Sequence, residues 1–343
     1  MNIEYTQRLQ NIEAQLDLWL PKENTPVSET WMKNVFPGLS LTSCPKSVKL
    51  DTAFVNSLFT PLNDILSRGG KRWRPLLMTL VCETLGGGEA ALPLSPLVEF
   101  SHNASLIHDD IEDDSDQRRG KPAIHHLYGV DTAINVGSFF YFMSLCCIES
   151  FSGKNKEQIY KLWGEYMRKL HLGQSMDISW HRDITLIPSI DDYYIMCGMK
   201  TGALASFAAE LGVYAAGASA ETAQVLGKAA EKLGIGFQIL DDVKNLTAQI
   251  PGKKRGDDIV EGKKSLPILL YLHKYPEKRE RVYFCFHEAK TKGASVPEVE
   301  ELIETLTEAG VLTEAEKIAE ALVKEARDIF NSPLLDGLIG MIS

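Results

Sequence analysis

Several things this sequence lacks narrow what it can do. None of its six cysteines, at 44, 82, 146, 147, 197 and 285, forms a CxxC pair or a Cys/His spacing suited to zinc. They read as reduced, mostly buried thiols, which predicts a cytoplasmic protein. The longest apolar patch, Phe139 to Ile148, is interrupted by Ser144 and falls short of the roughly 20 residues a spanning helix needs, so no integral membrane segment is expected. The first residues carry no basic stretch followed by an apolar core, and Glu13 and Asp17 interrupt what comes next, so no export is expected. Positive charge is not in excess either: 36 Lys and Arg against 46 Asp and Glu give a net charge of -10, which argues against nucleic acid as a partner. No convincing run of alternating β-branched residues predicts a sheet.

What is present is a chain of 343 residues, 44% hydrophobic, ample for a buried core in one large domain or two small ones. Residues 1–45 read as a packing arm: a helix around Ile12 to Leu20, then a loop with Pro21, Pro26, Pro37 and Gly38. Residues 46–343 read as the main domain. From Leu50 to Ser67, Phe54, Leu58, Leu62 and Ile65 recur at three and four, a helix signal that stops at Gly69-Gly70. Ala203 to Ala216 places Leu204, Phe207, Leu211 and Tyr214 on one stripe, and Glu221 to Leu233 continues in kind. The tail beyond Lys290 is amphipathic, with a solvated Glu/Lys face over an apolar stripe.

The densest chemistry lies between Ser101 and Gly120. If the apolar lead-in Ala104, Leu106, Ile107 is helical, Asp109 and Asp113 lie one turn apart on one face with Asp110 beside them, directly before Arg118-Arg119. Alone, such a DDxxD run is as readily a solvated helix end. As a convergent set it suits a hard dication, and Mg²⁺ fits best because it takes one or two carboxylates together with substrate phosphate oxygens. Gly236 to Asn245 repeats the pattern: Asp241 and Asp242 close another apolar run, with Asn245 where a third Asp could stand. Two such motifs suggest two carboxylate walls facing one diphosphate. Gly69-Gly70 frees the backbone to approach a ligand, and Lys71 and Arg74 fall three apart at the start of the next helix, a seat for an anion or a plain basic helix start. A third acidic pair, Asp191-Asp192, follows Pro188-Ser189 and reads as a helix N-terminus, not a metal site.

In this order and spacing, Gly69-Gly-Lys-Arg-Trp-Arg-Pro75, His102-Asn-Ala-Ser-Leu106, Asp109-Asp-Ile-Glu-Asp113, Arg118-Arg-Gly120, Lys200-Thr-Gly202, Gly236-Phe-Gln238, Asp241-Asp242 and Asp258 to Lys263 resemble the trans-isoprenyl diphosphate synthases. The wording of the first motif, with Ile134-Asn135, Tyr141-Phe142, Asp177 to Trp180 and Asn245-Leu246, is most like eukaryotic-type geranylgeranyl diphosphate synthases. The likeness runs from about Leu66 to Leu272. It implies an all-α fold, a single large helical domain with antiparallel helices around a deep central cavity. It implies a head-to-tail prenyltransferase that condenses isopentenyl diphosphate with dimethylallyl, geranyl or farnesyl diphosphate, and at least a homodimer.

The resemblance also assigns roles. Asp109, Asp110, Asp113 and Asp241 would hold three Mg²⁺ on the allylic substrate, with Asp242, Asn245, Gln174 and Asp177 serving mainly through metal-bound waters. Arg118, Lys200, Lys254 and Lys263 would contact the allylic diphosphate. Lys71, Arg74, His102 and Arg119 would seat isopentenyl diphosphate without metal. Thr201 and Gln238 oxygens would steady the developing cation, alongside Lys200, as the catalytic group. Two departures stand out: Asn245 for an Asp, and Ser138 where Asn or Asp is commoner, which puts the helix behind the first motif in question. A class I terpene cyclase is the rival enzyme, but it has no use for an isopentenyl seat. A non-catalytic regulatory subunit is the rival of another kind, and its usual signature, a lost motif, is missing. Ala104 and Ser105, one turn before Asp109, are small, which favours a product longer than farnesyl. The expected product is geranylgeranyl diphosphate, C20, with farnesyl or longer chains as alternatives. Its chain-length floor is expected within Phe139-Phe140-Tyr141-Phe142.

Overall fold

A computed structural model of the chain describes residues 3–21, 31, 35, 52–247 and 255–342. The expected loop with Pro26, Pro37 and Gly38, together with Cys44 and Lys254, lies outside the described residues. The chain divides into two compact units, Met1–Tyr160 with Ala215–Gly217, and Lys161–Tyr214 with Ala218–Ser343. Both are all-α, built of mostly antiparallel packed helices. Among the described residues the one exception is a hairpin of two residue pairs, β1 (Gln117–Arg118) and β2 (Lys121–Pro122).

The first unit opens with α1 (Ile3–Trp19), longer than the expected Ile12 to Leu20. Tyr5, Ile12 and Leu16 are buried, and seven- and four-residue steps put them on one face. Next come α2 (Thr52–Ser67) and α3 (Trp73–Thr84), followed by α4 (Ser95–Glu112). Beyond the hairpin lie α5 (Ile124–Tyr128), α6 (Val130–Ser144) and α7 (Cys146–Ser150). The core of the unit is the packing of α4 along α6. Phe100 stacks on Phe140 at 4.4 Å between ring centroids, and Ser101 meets Ser144 through their hydroxyls at 3.3 Å. Gly137 permits the closeness, since a Cβ there would come within 3.0 Å of the His108 ring. Ser138, the residue that put this helix in question, lies on it with its hydroxyl 3.5 Å from His108 Nε2. Val130–Ser150 is long and apolar enough, by length and composition alone, to cross a membrane. Half of it is buried within the protein and α6 stops at Ser144, as in a core helix pair.

In the second unit, α8 (Lys156–Arg182), which begins in the first unit, is followed by α9 (Ile190–Cys197) and a π-helical turn, Gly198–Gly202. Then come α10 (Ala203–Ala215), α11 (Ala220–Thr247), α12 (Asp257–Glu261) and α13 (Leu266–Lys274), and after them α14 (Arg279–Lys292), α15 (Pro297–Glu308), α16 (Val311–Phe330) and α17 (Pro333–Ile342). Asp191-Asp192 does open α9. The Ser189 hydroxyl accepts from Asp192 N–H at 3.0 Å and Asp192 Oδ2 accepts from Ser189 N–H at 3.2 Å, a reciprocal cap. From Ala203 to Val213 only Glu210 escapes burial in α10, as befits a core helix apolar on all sides. Helix α11 lies along α16, and the absence of a side chain at Gly236 accommodates Val323 and the Ala319 carbonyl.

Candidate active site

The two aspartate motifs fall in different units. In the first unit, Asp109 and Asp110 occupy the last turn of α4 and Asp113 is its C-cap, so the expected helical spacing holds. Asp110 is fully buried, and its Oδ1 accepts from Arg118 Nε at 2.7 Å and also from Nη2. Nη2 reaches Asp109 Oδ2 at 3.4 Å as well. Burial pushes the Asp110 carboxyl above its usual pKa against the pull of Arg118. Burial opposes the Arg118 charge too, yet the neighbouring carboxylates hold its pKa above the usual value.

Arg118 is delivered by the hairpin. Arg119 and Gly120 both lie in the left-handed region, φ 54° and 75°, the two-residue turn that matches strand twist. The Arg119 guanidinium bonds the carbonyls of Gly69 and, at 3.4 Å, Ile65. It lies so close to Gly70 that a Cβ there would stand 3.0 Å away.

The expected helical pairing of Lys71 with Arg74 is corrected by the structure. Arg72, at φ 47°, is the N-cap of α3, so Lys71 precedes the helix and only Arg74 is on it. Lys71 is exposed. Arg74 Nη1 lies 3.2 Å from His102 Nε2, its guanidinium covers the Trp73 ring at 4.5 Å, and its buried Nε has no hydrogen-bond partner. Burial lowers the Arg74 pKa to about 10, and burial with the surrounding arginines drives His102 well below the usual imidazole range. A neutral His102 can accept from Arg74.

Beneath these groups lies an ionic hub that sequence reasoning missed. Arg72 Nη1 donates to Glu99 Oε1 at 2.9 Å, Nε to Glu13 Oε1 at 2.7 Å and Nη2 to the Leu66 carbonyl at 2.7 Å. Asn103 also donates to Glu99 Oε1, at 2.8 Å. Arg72 and Glu99 side chains are 4% and 3% exposed, and the charge of Glu99 supports both Arg74 and Arg119. A lone Glu between Leu97-Val98 and Phe100 was the available signal.

In the second unit, Lys200 and Thr201 sit on the π-helical turn, where π geometry often marks function. Glycines let helices close on it: a Cβ at Gly173 would meet Lys200 N at 2.5 Å, and one at Gly234 would meet Gly202 Cα at 2.7 Å. Lys200 pairs with buried Asp177. Thr201 Oγ1 donates to Gln238 Oε1 at 2.7 Å, Gln238 Nε2 to Asp242 Oδ1 at 2.9 Å, and Tyr193 Oη to Asp242 Oδ2 at 2.7 Å. The relay fixes which end of the Gln238 amide faces Thr201. Asp241 is exposed whereas Asp242 is 6% exposed and its pKa rises to about 7, through burial and then the charge of Asp258. The motif therefore presents one outward and one inward carboxylate. Asn245 is buried and accepts from Asp258 N–H at 3.2 Å through its side chain, fastening α12. Lys263 pairs with Glu261.

Among the described residues no three carboxylate, imidazole or thiol groups converge closely enough to hold an ion. The donor chemistry nevertheless fits Mg²⁺: the groups are carboxylate oxygens throughout, and Asp110 Oδ2 is buried without a hydrogen-bond partner.

The Phe139 to Phe142 run does not act together. Phe140 is core and Phe139 packs edge-on to Phe59 at 6.0 Å, while Phe142 is 66% exposed. Tyr141 stacks on His108 at 5.7 Å and hydrogen-bonds Ser105.

Residues 55–306 match the Polyprenyl synthetase family. The chain is 34% identical to a geranylfarnesyl diphosphate synthase of Aeropyrum pernix over 281 residues, 78% of this chain and 85% of that one. It is 33% identical to a geranylgeranyl diphosphate synthase of Methanosarcina mazei over 273 residues, 77% and 80% of the two chains. The fold superposes on a crystal structure of geranylgeranyl pyrophosphate synthetase from Pyrococcus horikoshii with TM-score 0.79 at 24% identity, covering 99% and 95% of the two chains. Archaeal and fungal relatives match at comparable identity, so the likeness is not specific to the eukaryotic type. The chain thus belongs to the polyprenyl synthetase family of head-to-tail prenyltransferases.

Proposed function

We propose that this protein condenses isopentenyl diphosphate with an allylic diphosphate and makes geranylgeranyl diphosphate, C20, as its main product. The observation that carries the proposal is the pairing of two opposite chemistries in one unit. On α4, His102 meets Arg74, whose Nε is buried without a partner, while the same helix ends in Asp109 and Asp110. A cationic seat binds a diphosphate directly, and a carboxylate seat binds one through a metal. A cyclase needs only the second.

Bound Mg²⁺, proposed as three ions, would neutralise the allylic diphosphate as the carbon–oxygen bond breaks. Asp109, Asp110 and Asp113 are proposed ligands in the first unit, and exposed Asp241 in the second. Arg118, Lys200 and Lys263, with Lys254, would donate charge-assisted hydrogen bonds to the allylic diphosphate. Lys71, Arg74 and Arg119 would hold isopentenyl diphosphate, with neutral His102 orienting Arg74. The Thr201 oxygen and the Gln238 carbonyl oxygen, fixed through Asp242 and Tyr193, would face developing positive charge.

The C20 assignment rests on small Ala104 and Ser105 one turn before Asp109, and on the product name of the Methanosarcina relative. The Aeropyrum relative favours a second reading, one prenyl unit longer. Homodimerisation is supported by an exposed apolar stripe of Val130, Ile134 and Phe142 on α6. A cytoplasmic location is supported by the five cysteines among the described residues, which are free, four of them buried. Incubation with isopentenyl diphosphate and each allylic primer, with chain length read by mass, tests the proposal. C20 as the end product is expected, and a wild type that stops at C15 would refute the length assignment.

A further inference from the structure

The hairpin carrying Arg118 and Arg119 is only two residue pairs long, too short to be stable by itself. It also holds Arg119 in the left-handed region, where a side chain is strained. Something outside it must set its position. Arg68, at the end of α2, has a side chain with no exposure. Its Nη1 donates to the carbonyls of Arg118 at 3.2 Å and Pro122 at 2.9 Å, one on each strand. Its Nε and Nη2 fork onto Asp64 at 3.1 and 2.8 Å. Asp64 also accepts from Lys121 Nζ at 3.5 Å and Tyr128 Oη at 3.3 Å, binding the second strand and α5 to the same carboxylate. Arg119 in turn bonds the carbonyl of Gly69, the residue after Arg68. The two basic motifs therefore hold each other's backbone.

We propose that Arg68, oriented by Asp64, is a positioning residue for both diphosphate seats: it sets the hairpin that aims Arg118 at one substrate and Arg119 at the other. The inference rests on the functional reading above. A planar guanidinium can fork onto Asp64 and still reach two carbonyls; a methionine can do neither and a lysine cannot do both. Neither Arg68 nor Asp64 touches substrate in this account, so their effect passes through the arginines.

The test is the affinity for isopentenyl diphosphate alone, measured by titration calorimetry without metal, in which no turnover occurs. Arg68→Met should weaken binding about tenfold, the size expected when a charge-assisted hydrogen bond is misplaced. Arg68→Lys should recover part of the loss. Asp64→Asn, close in size to the natural residue, should weaken binding a few-fold, and it decides the matter if Arg68→Met fails to fold. Arg119→Ala serves as the control. A folded Arg68→Met or Asp64→Asn within about twofold of wild type, beside a weakened Arg119→Ala, overturns this inference alone. A folded wild type that binds no isopentenyl diphosphate overturns the functional reading and this inference with it.

Discussion

Replacing Glu99 by Gln removes the anion at the centre of a basic cluster. Arg72 would keep Glu13 and the Leu66 carbonyl, but Glu13 is half exposed and shares its charge with water. Stripping a partner from a buried ion pair costs about 3–5 kcal/mol; with Glu13 remaining, the lower end applies, about 3 kcal/mol or roughly 5 °C in a chain of this size. The local effect extends to the site, because the charge of Glu99 supports Arg74 and Arg119 against burial and mutual repulsion. An added anion should restore part of what is lost. Inorganic diphosphate is therefore expected to raise the unfolding midpoint of Glu99→Gln by more than that of wild type at the same concentration. Thermal unfolding followed by circular dichroism, with and without diphosphate, measures both effects. A variant within about 1 °C of wild type, or a diphosphate-induced rise no larger than in wild type, would refute the hub.

Arg74→Ala and Arg119→Ala should chiefly raise KM for isopentenyl diphosphate and Lys200→Ala that for the allylic substrate, each about tenfold or more; steady-state kinetics with each substrate varied in turn checks this, and equal effects on both substrates in all three contradict it. Buried Lys264 donates to the carbonyls of Trp180 and Gly262, and burial lowers its pKa to about 8 from 10.5. Between these values the unfolded chain binds more protons, so the Lys264 contribution to stability rises with pH, by up to about 3 kcal/mol. Urea unfolding should then show wild type gaining on Lys264→Met from pH 7.5 to pH 10, both about where the window opens and closes; a constant difference would refute it. Ser105→Phe, placed where Tyr141 meets Ser105, should shorten the product, and unchanged chain length by mass spectrometry would show that the ruler is elsewhere.

Helix-forming segments were legible because apolar periodicity reports burial directly. Asp109, Asp110 and Asp113 close α4 as their spacing implied, and Ser189 caps α9 as its neighbours implied. The failures share a cause. Lys71 was placed on a helix with Arg74 because nothing local announces that Arg72 adopts a left-handed N-cap; its burial against Glu13 and Glu99, 59 and 27 residues away, accompanies that conformation. Features that the sequence left unread, the inward turn of Asp242 and the contact of Asn245 with α12, depend on Tyr193 and Asp258, partners that motif spacing does not name. The hairpin was missed since two residue pairs leave no alternation to detect, although Arg-Gly before a basic strand is a turn signal. Which member of the Phe139 to Phe142 run faces which way is not legible in the sequence, because a run has no phase. On α6 its members point to the core, to Phe59, to His108 and outward.

The most direct test of the central claim is elongation of farnesyl diphosphate by labelled isopentenyl diphosphate, measured with Mg²⁺, with EDTA, and in Asp109→Ala and Asp241→Ala. A longer prenyl diphosphate is expected with Mg²⁺ only, and turnover should fall by about two orders of magnitude or more in each folded variant, since these carboxylates act on transition-state charge more than on stability. Elongation undiminished by EDTA, or full activity in both variants, would contradict it.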